Sequence, residues 1–509
     1  MPAQITISDD GSCRLGDVLL HPPRGALAAA REELAPVLEG LGPEDTLVLA
    51  GLGLGWHAKA VLDTPGGPEL VVYEPDPRRR ALMGALGPAL PGLCLCGDEE
   101  ALCEELGQRL VYERPGRVEV FAPAAYTQTA PEVARAARDL LRRTLERRQA
   151  NLTTVEVHQD RWRRYIVDNF KQILEVPDLC QLAGALAGVP ALVVGAGPSL
   201  DQSLAHLGGV TEKALVLAAA SALGPLARVG VSPHLAVALE AKDESRQFQG
   251  ADMTSTVLAA ATASNPRHFS RWSGQKTLFH LQPWLARLAG TGPALANGGH
   301  ATSAAFSLAI LWGCDPIILV GQDLAYTGGR IHASGRPGGE EENLPQLVPV
   351  PAIDGSMAKT SLVMQSYIIW YQEAAGYLGR RHRDRRVMNA TAQGARIPGF
   401  EHQPLERVLA ELGQSPLRRR DFTRALAGLP RPPDYLLAQR LGQARAEIRS
   451  VLNILEEQGV DAARQEAPEQ SPARAALEQP PYSDERDELK QRLEDMARDL
   501  SRMAEALYG

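Results

Sequence analysis

Six short apolar runs between residues 191 and 327 each stop on small or polar residues: ALVVGAGPSL, ALVLAAASAL, HLAVALE, TVLAAATA, KTLFHL and PIILVGQDLAYT. The stretches between them read as helical. Near-continuous apolar strands alternating with helices fit a parallel sheet buried on both faces, because an antiparallel sheet with one wet face would alternate apolar and polar residues. In such sheets ligands lie beyond the carboxyl ends of the strands. The residues just after each run are therefore the ones that carry chemistry.

After the first run comes GAGPSLD. Gly195 and Gly197 permit a sharp turn and a close backbone approach. Pro198 suits the first position of a helix. A helix over SLDQSLAHL would aim free N–H groups and its positive dipole end at an anion, with the Ser199 hydroxyl added. No Gly-Lys-Ser/Thr follows, so the loop is expected to hold a single phosphodiester rather than a triphosphate with magnesium. The second strand end offers Ser221, and the third offers Glu240, a carboxylate suited to a ribose or sugar hydroxyl or simply to solvent. Asn297, Gly298, Gly299 and His300 precede a helix whose first turn holds Thr302, a second anion-friendly start. After the last run come Gln322, Asp323, Tyr326 and His332, the densest polar group in the chain. His332, on a glycine-rich loop past a buried strand, is the candidate general base, with Asp323 next.

The same alternation opens the chain. TLVLAGLGLGWHAKAVLD (46–63) reads as strand, turn at Gly51, Gly53 and Gly55, then helix. LVVYEPDP (70–77) is a second strand ending at Glu74. That spacing fits a Rossmann-like nucleotide-binding crossover and fits equally a tight turn that binds nothing. Arginine-rich residues 130–175 read as one long helix. Beyond 401 the chain is helical. Leu437, Leu441, Ala444, Ile448, Val451 and Leu455 form one narrow apolar seam, and Leu489, Leu493, Met496, Leu500, Met503 and Leu507 form another. The seams would pack together or dock a partner's helices. The expected organisation is α/β: a Rossmann-like domain over 1–150, a helical connector over 151–185, a central parallel-sheet domain over 186–400 and a helical C-terminal region over 401–509.

Composition narrows the class. With 53 Lys and Arg against 61 Asp and Glu, the formal charge of the 509 residues is −8, which argues against a nucleic-acid binder. The six cysteines form no CxxC pair, so a reducing compartment is expected. No signal peptide and no membrane-spanning run is visible, and the expected location is the cytoplasm.

The ordered set GAGPSLD, ASAL with VGVSPHLAV, NGGHATSAAFSLAILWGCDPIILVGQDLAYTGGRIHA, DGSMAKT and MNATAQGARIPGF resembles the motility-associated factor (Maf) family, bacterial flagellin glycosyltransferases built on the domain-of-unknown-function 115 core. The resemblance implies a sialyltransferase-like central domain that transfers a nonulosonic acid, of the pseudaminic or legionaminic type, from a CMP-activated donor to Ser or Thr of flagellin. It implies no metal and no cofactor beyond the donor. The family often has Asp where this chain has His234, and Asp where it has Glu240. On this resemblance the donor contacts are Gly195, Gly197, Pro198, Ser199, Ser221, Glu240, Gly299, Thr302, Gln322 and Tyr326, with Lys359 and Thr360 either meeting the sugar carboxylate or serving only the surface. Two other readings remain. The same core occurs in archaeal pterin pyrophosphokinases, which use ATP. A non-catalytic protein that binds flagellin through the helical tail is the other.

Overall fold

The computed structural model describes residues 5–7, 13–22, 25–109, 117–334, 347–382, 385–415, 417–479, 483 and 485–508. Two compact units emerge, Met1–Thr154 and Val155–Gly509. One helix, Pro131–Asp168, runs from the first into the second.

The first unit begins with an antiparallel ribbon of β1 (Ile5–Ile7), β2 (Cys13–Leu15) and β3 (Val18–His21). A parallel sheet follows, made of β4 (Thr46–Ala50), β5 (Glu69–Tyr73), β6 (Cys94–Cys96) and β7 (Val118–Phe121). Its order is β6-β5-β4-β7. The chain thus lays down three strands in one direction and then returns to the other side of the first, as in half of a dinucleotide-binding fold. Every residue of β4 is buried, as its unbroken TLVLA run requires.

The second unit is built on an eight-stranded sheet containing β8 (Ala191–Val194), β9 (Leu215–Ala219), β10 (Leu235–Ala238), β11 (Val257–Ala261), β12 (Lys276–Phe279) and β13 (Ile317–Val320). An antiparallel hairpin, β14 (Leu347–Pro351) with β15 (Met357–Ser361), stands apart from it. The sheet is completed by β16 (Val387–Asn389) and β17 (Glu401–His402), giving the order β12-β11-β10-β9-β8-β13-β16-β17, parallel throughout. Alternate residues of β8 serve opposite layers: Ala191 and Val193 join one core cluster, Leu192 and Val194 another. The fold is therefore α/β with parallel sheets and a helical C-terminal region, as the apolar runs predicted.

The C-terminal seams are used internally. The helices Asp434–Glu457 and Arg486–Tyr508 bury Leu437, Leu441, Ala444, Ile448, Val451 and Leu455 together with Leu489, Leu493, Met496, Leu500 and Met503. The same cluster takes in Ala236 and Ala238 of β10 and Leu258 and Ala260 of β11. The tail is part of the sheet's own core. This corrects the reading in which its seams dock flagellin, because those side chains are already covered.

Candidate active-site cleft

The sheet places the site. From β8 the strands run outward to β12 on one side, and the chain then crosses to lay β13 on the other. The loops after β8 and β13 diverge at this switch point, where open α/β sheets form their ligand crevice. A cavity of about 400 Å³ opens there. It is lined by the ends of β8 (Gly195, Gly197), β9 (Ser221), β10 (Glu240) and β13 (Gln322, Asp323), with Thr302 and His332. Eight residues separated by up to 137 positions in the sequence reading thus share one cleft.

The glycines do a different job from the one expected. A Cβ on Gly197 would overlap Asp323 Oδ1, and one on Gly195 would lie 2.6 Å from Gln322 Oε1. They are small so that the β8 and β13 loops can cross at contact distance. The backbone seals that crossing: Gly195 N–H donates to Val320 O at 2.8 Å and Gly197 N–H to Gly321 O at 2.8 Å. Ser199 is buried, and its hydroxyl and N–H donate to Asp323 Oδ1 at 2.6 Å and Oδ2 at 3.0 Å. Leu200 N–H is taken by Gly197 O at 3.0 Å. The α-helix after Pro198 covers only Leu200–Ser203. The N–H groups that follow Pro198, expected to be free, are therefore spent inside the protein, and neither Pro198 nor Ser199 lines the cleft.

The other anion-friendly start lies where it is useful. The helix Ala301–Trp312 is twelve residues long, and Ala301 and Thr302 of its first turn line the cleft. Its partial positive end therefore borders the cavity. Gly299 lies outside the lining. So do Tyr326, Lys359 and Thr360, which have a structural connection instead: Tyr326 N–H donates to Lys359 O at 2.8 Å, and Thr360 Oγ1 donates to Leu324 O at 2.7 Å. β15 thus pins the loop after β13. Leu324, next to Asp323, is held with φ at 48°, in the left-handed region that a branched side chain rarely adopts.

Burial sets the protonation of the lining. Asp323 is 2% exposed, and desolvation raises its pKa despite the bonds from Ser199 that pull it down. His300, at the cap of Ala301–Trp312, is pushed down to about 4 by burial. Its ring stacks on Tyr367 at 4.0 Å, and its Nε2 lies 3.4 Å from Gln322 Nε2. Tyr367 is pushed up to about 12, by burial and then by the charge of Glu240. His234, at one of the departures from the family pattern, is a core residue: Val216 N–H donates to its Nδ1 at 3.0 Å, and burial pushes its pKa down to about 3.

Sequence reasoning missed Lys242, His268, His300 and Tyr367 as lining residues. Lys242 had a signal, two positions past Glu240 at a strand end. His300 was legible as a helix cap but not as a wall. Tyr367 comes from the helix Leu362–Arg381, far along the chain, and nothing local announces it. Among the described residues no group of three or more His, Cys, Asp or Glu side chains is arranged to hold a metal ion. No described helix is long and apolar enough to cross a membrane.

The glycine turn of the first unit is filled by its own side chains. Tyr126 packs on Gly51, where a Cβ would overlap its ring. Its hydroxyl donates to Glu74 Oε2 at 2.5 Å and accepts from Gly53 N–H at 2.9 Å. Leu52 N–H donates to Glu74 Oε2 at 3.2 Å, and Arg79 pairs with Glu74 at 3.5 Å. Glu74, the acid that a ribose would meet in a nucleotide-binding crossover, is fully buried. Here the turn serves packing.

Comparison with known proteins agrees with this architecture. Residues 164–329, which hold the first six strands of the large sheet, match the family model described as 6-hydroxymethylpterin diphosphokinase MptE-like. The chain also shares its fold with the MAf glycosyltransferase from Magnetospirillum magneticum AMB-1, at a TM-score of 0.51 and 14% identity over 100% of this chain and 87% of that one. The resemblance to the Maf family is borne out by this domain and this fold. No curated protein matches the chain.

Proposed function

We propose that the protein is a glycosyltransferase that moves a nonulosonic acid from a CMP-activated donor to Ser or Thr of flagellin in the cytoplasm. The observation that carries this reading is the cleft at the β8/β13 switch point, in a fold shared with a Maf glycosyltransferase. At about 400 Å³ it is of small-ligand size. Its contents suit a nucleoside monophosphate ester. The helix start at Ala301 and Thr302 and the Lys242 ammonium face the phosphate, and Glu240 and Ser221 are suited to sugar or ribose hydroxyls.

In the reaction the acceptor hydroxyl attacks the anomeric carbon as the bond from that carbon to the phosphate oxygen breaks. His332 takes the hydroxyl proton, and CMP departs with the electron pair on its phosphate. Asp323 does not act as the base. Both of its oxygens are engaged by Ser199, so it fixes the loop that carries Gln322 into the cleft. Calorimetry with CMP in EDTA tests this reading. It expects binding that a bulky Ser221→Trp in the cleft wall abolishes, and binding of ATP only in the presence of magnesium contradicts it. The family-model match favours a second reading, an ATP-dependent pterin diphosphokinase, which predicts magnesium-dependent turnover of 6-hydroxymethylpterin.

A further inference from the structure

A second cavity, of about 540 Å³, lies past the ends of β16 and β17 and shares no lining residue with the cleft. Asn389 and His402 are register partners on these adjacent strands, and Gln403 follows, its N–H donating to Asn389 O at 3.3 Å. All three line the cavity.

Each presents one buried polar atom with no partner in the protein, and its chemistry is fixed by the bond the residue does make. Asn389 is 1% exposed; its Oδ1 accepts from Thr391 N–H at 3.0 Å, which leaves the Nδ2 donor unpaired. His402 Nε2 lies 3.3 Å from Ile397 O, and donating there leaves Nδ1 as an unpaired acceptor. Gln403 Nε2 donates to Glu401, which leaves Oε1 as a second unpaired acceptor. Burial costs free energy unless such groups find partners.

One donor and two acceptors, clustered and uncharged, match groups that both accept and donate, which is what hydroxyls do. The lining carries no unengaged charge. Its one carboxylate, Glu406, meets His206 Nε2 at 2.8 Å at the rim. An anion or a cation would find no opposite charge. Burial also lowers the pKa of His402, which keeps its ring neutral.

We propose that this cavity is a second ligand site that takes an uncharged, polyhydroxylated molecule of monosaccharide size. The proposal is independent of the reaction in the main cleft. Saturation-transfer NMR on the full chain, with and without saturating CMP, tests it with glucose, galactose and N-acetylglucosamine as probes. Transfer to at least one probe is expected. Asn389→Leu removes the buried donor and should weaken that binding about tenfold, the equivalent of one good hydrogen bond. Ala392→Trp, at an exposed position on the rim, fills the mouth without touching the core and should abolish the transfer. Absence of transfer to every probe overturns the proposal. So does transfer that persists in Ala392→Trp, or transfer that CMP removes, because the sugar would then sit in the main cleft.

Discussion

Ser199 holds both oxygens of Asp323, its hydroxyl on Oδ1 at 2.6 Å and its N–H on Oδ2 at 3.0 Å. The pair joins the loop after β8 to the loop after β13 at the place where the sheet opens. Removing the hydroxyl leaves a buried carboxylate oxygen short of a donor. Ser199→Ala should therefore cost about 1–3 kcal/mol of stability. Urea unfolding of the purified variant checks this, and an unchanged midpoint would remove the pair from the account.

Asp323 makes the stability of this region depend on pH in a defined direction. Its pKa is raised in the folded protein, so the folded state keeps the proton where the unfolded chain has lost it. Its contribution is present below the unfolded value, about 4, and is lost as pH rises through the folded value. Relative to Asp323→Asn, the wild type should lose thermal stability as pH climbs from about 4. A relative gain over that range would mean that hydrogen bonding, and not burial, dominates the carboxyl.

Gly197 and Asp323 should be coupled. The Cβ of Gly197→Ala overlaps the carboxylate, and overpacking of this kind costs about 1–3 kcal/mol. Truncating the carboxylate with Asp323→Ala makes room, so the double variant should be more stable than the sum of the single effects predicts. A double-mutant cycle should return about 0.5–3 kcal/mol of coupling; additivity would show that the close approach is not what requires glycine.

How much of this was legible in the sequence depends on the distance over which the signal acts. The apolar runs of β8, β9, β10 and β13 announced a parallel sheet, and the residues after them line its crevice, because strand burial and crevice position follow from local pattern and topology alone. The use of Gly195 and Gly197 was not legible. Glycine permits close approach to a ligand and to the protein's own backbone alike, and only the crossing with Gly321–Asp323 decides between them. Lys359 and Thr360 carried polar chemistry but pair with the β13 loop, a contact between segments more than 30 residues apart.

The tail should behave as core. Leu493 is fully buried in the cluster that includes β10 and β11. Leu493→Ala should cost about 2–5 kcal/mol, and deletion of 401–509 should leave no folded second unit rather than a CMP-binding fragment. Chemical denaturation and circular dichroism check both. A folded, CMP-binding truncation would return the seams to a docking role.

The filled turn of the first unit makes its own prediction. Gly51 has φ of 108°, and a side chain there would strike the Tyr126 ring. Gly51→Ala should destabilise the protein by about 1–3 kcal/mol through backbone strain alone, while the affinity for CMP stays at the wild-type value. Calorimetry alongside thermal denaturation separates the two effects. A loss of CMP affinity without a loss of stability would assign the turn to the ligand.

The most direct measurement is the intact mass of purified flagellin after incubation with the protein and a CMP-activated nonulosonic acid in EDTA. A gain of one or more nonulosonic acid residues is expected. In His332→Ala the rate should fall by about 10² or more, as the loss of a general base implies. Flagellin of unchanged mass, together with magnesium-dependent diphosphorylation of 6-hydroxymethylpterin by the same preparation, would contradict the glycosyltransferase reading.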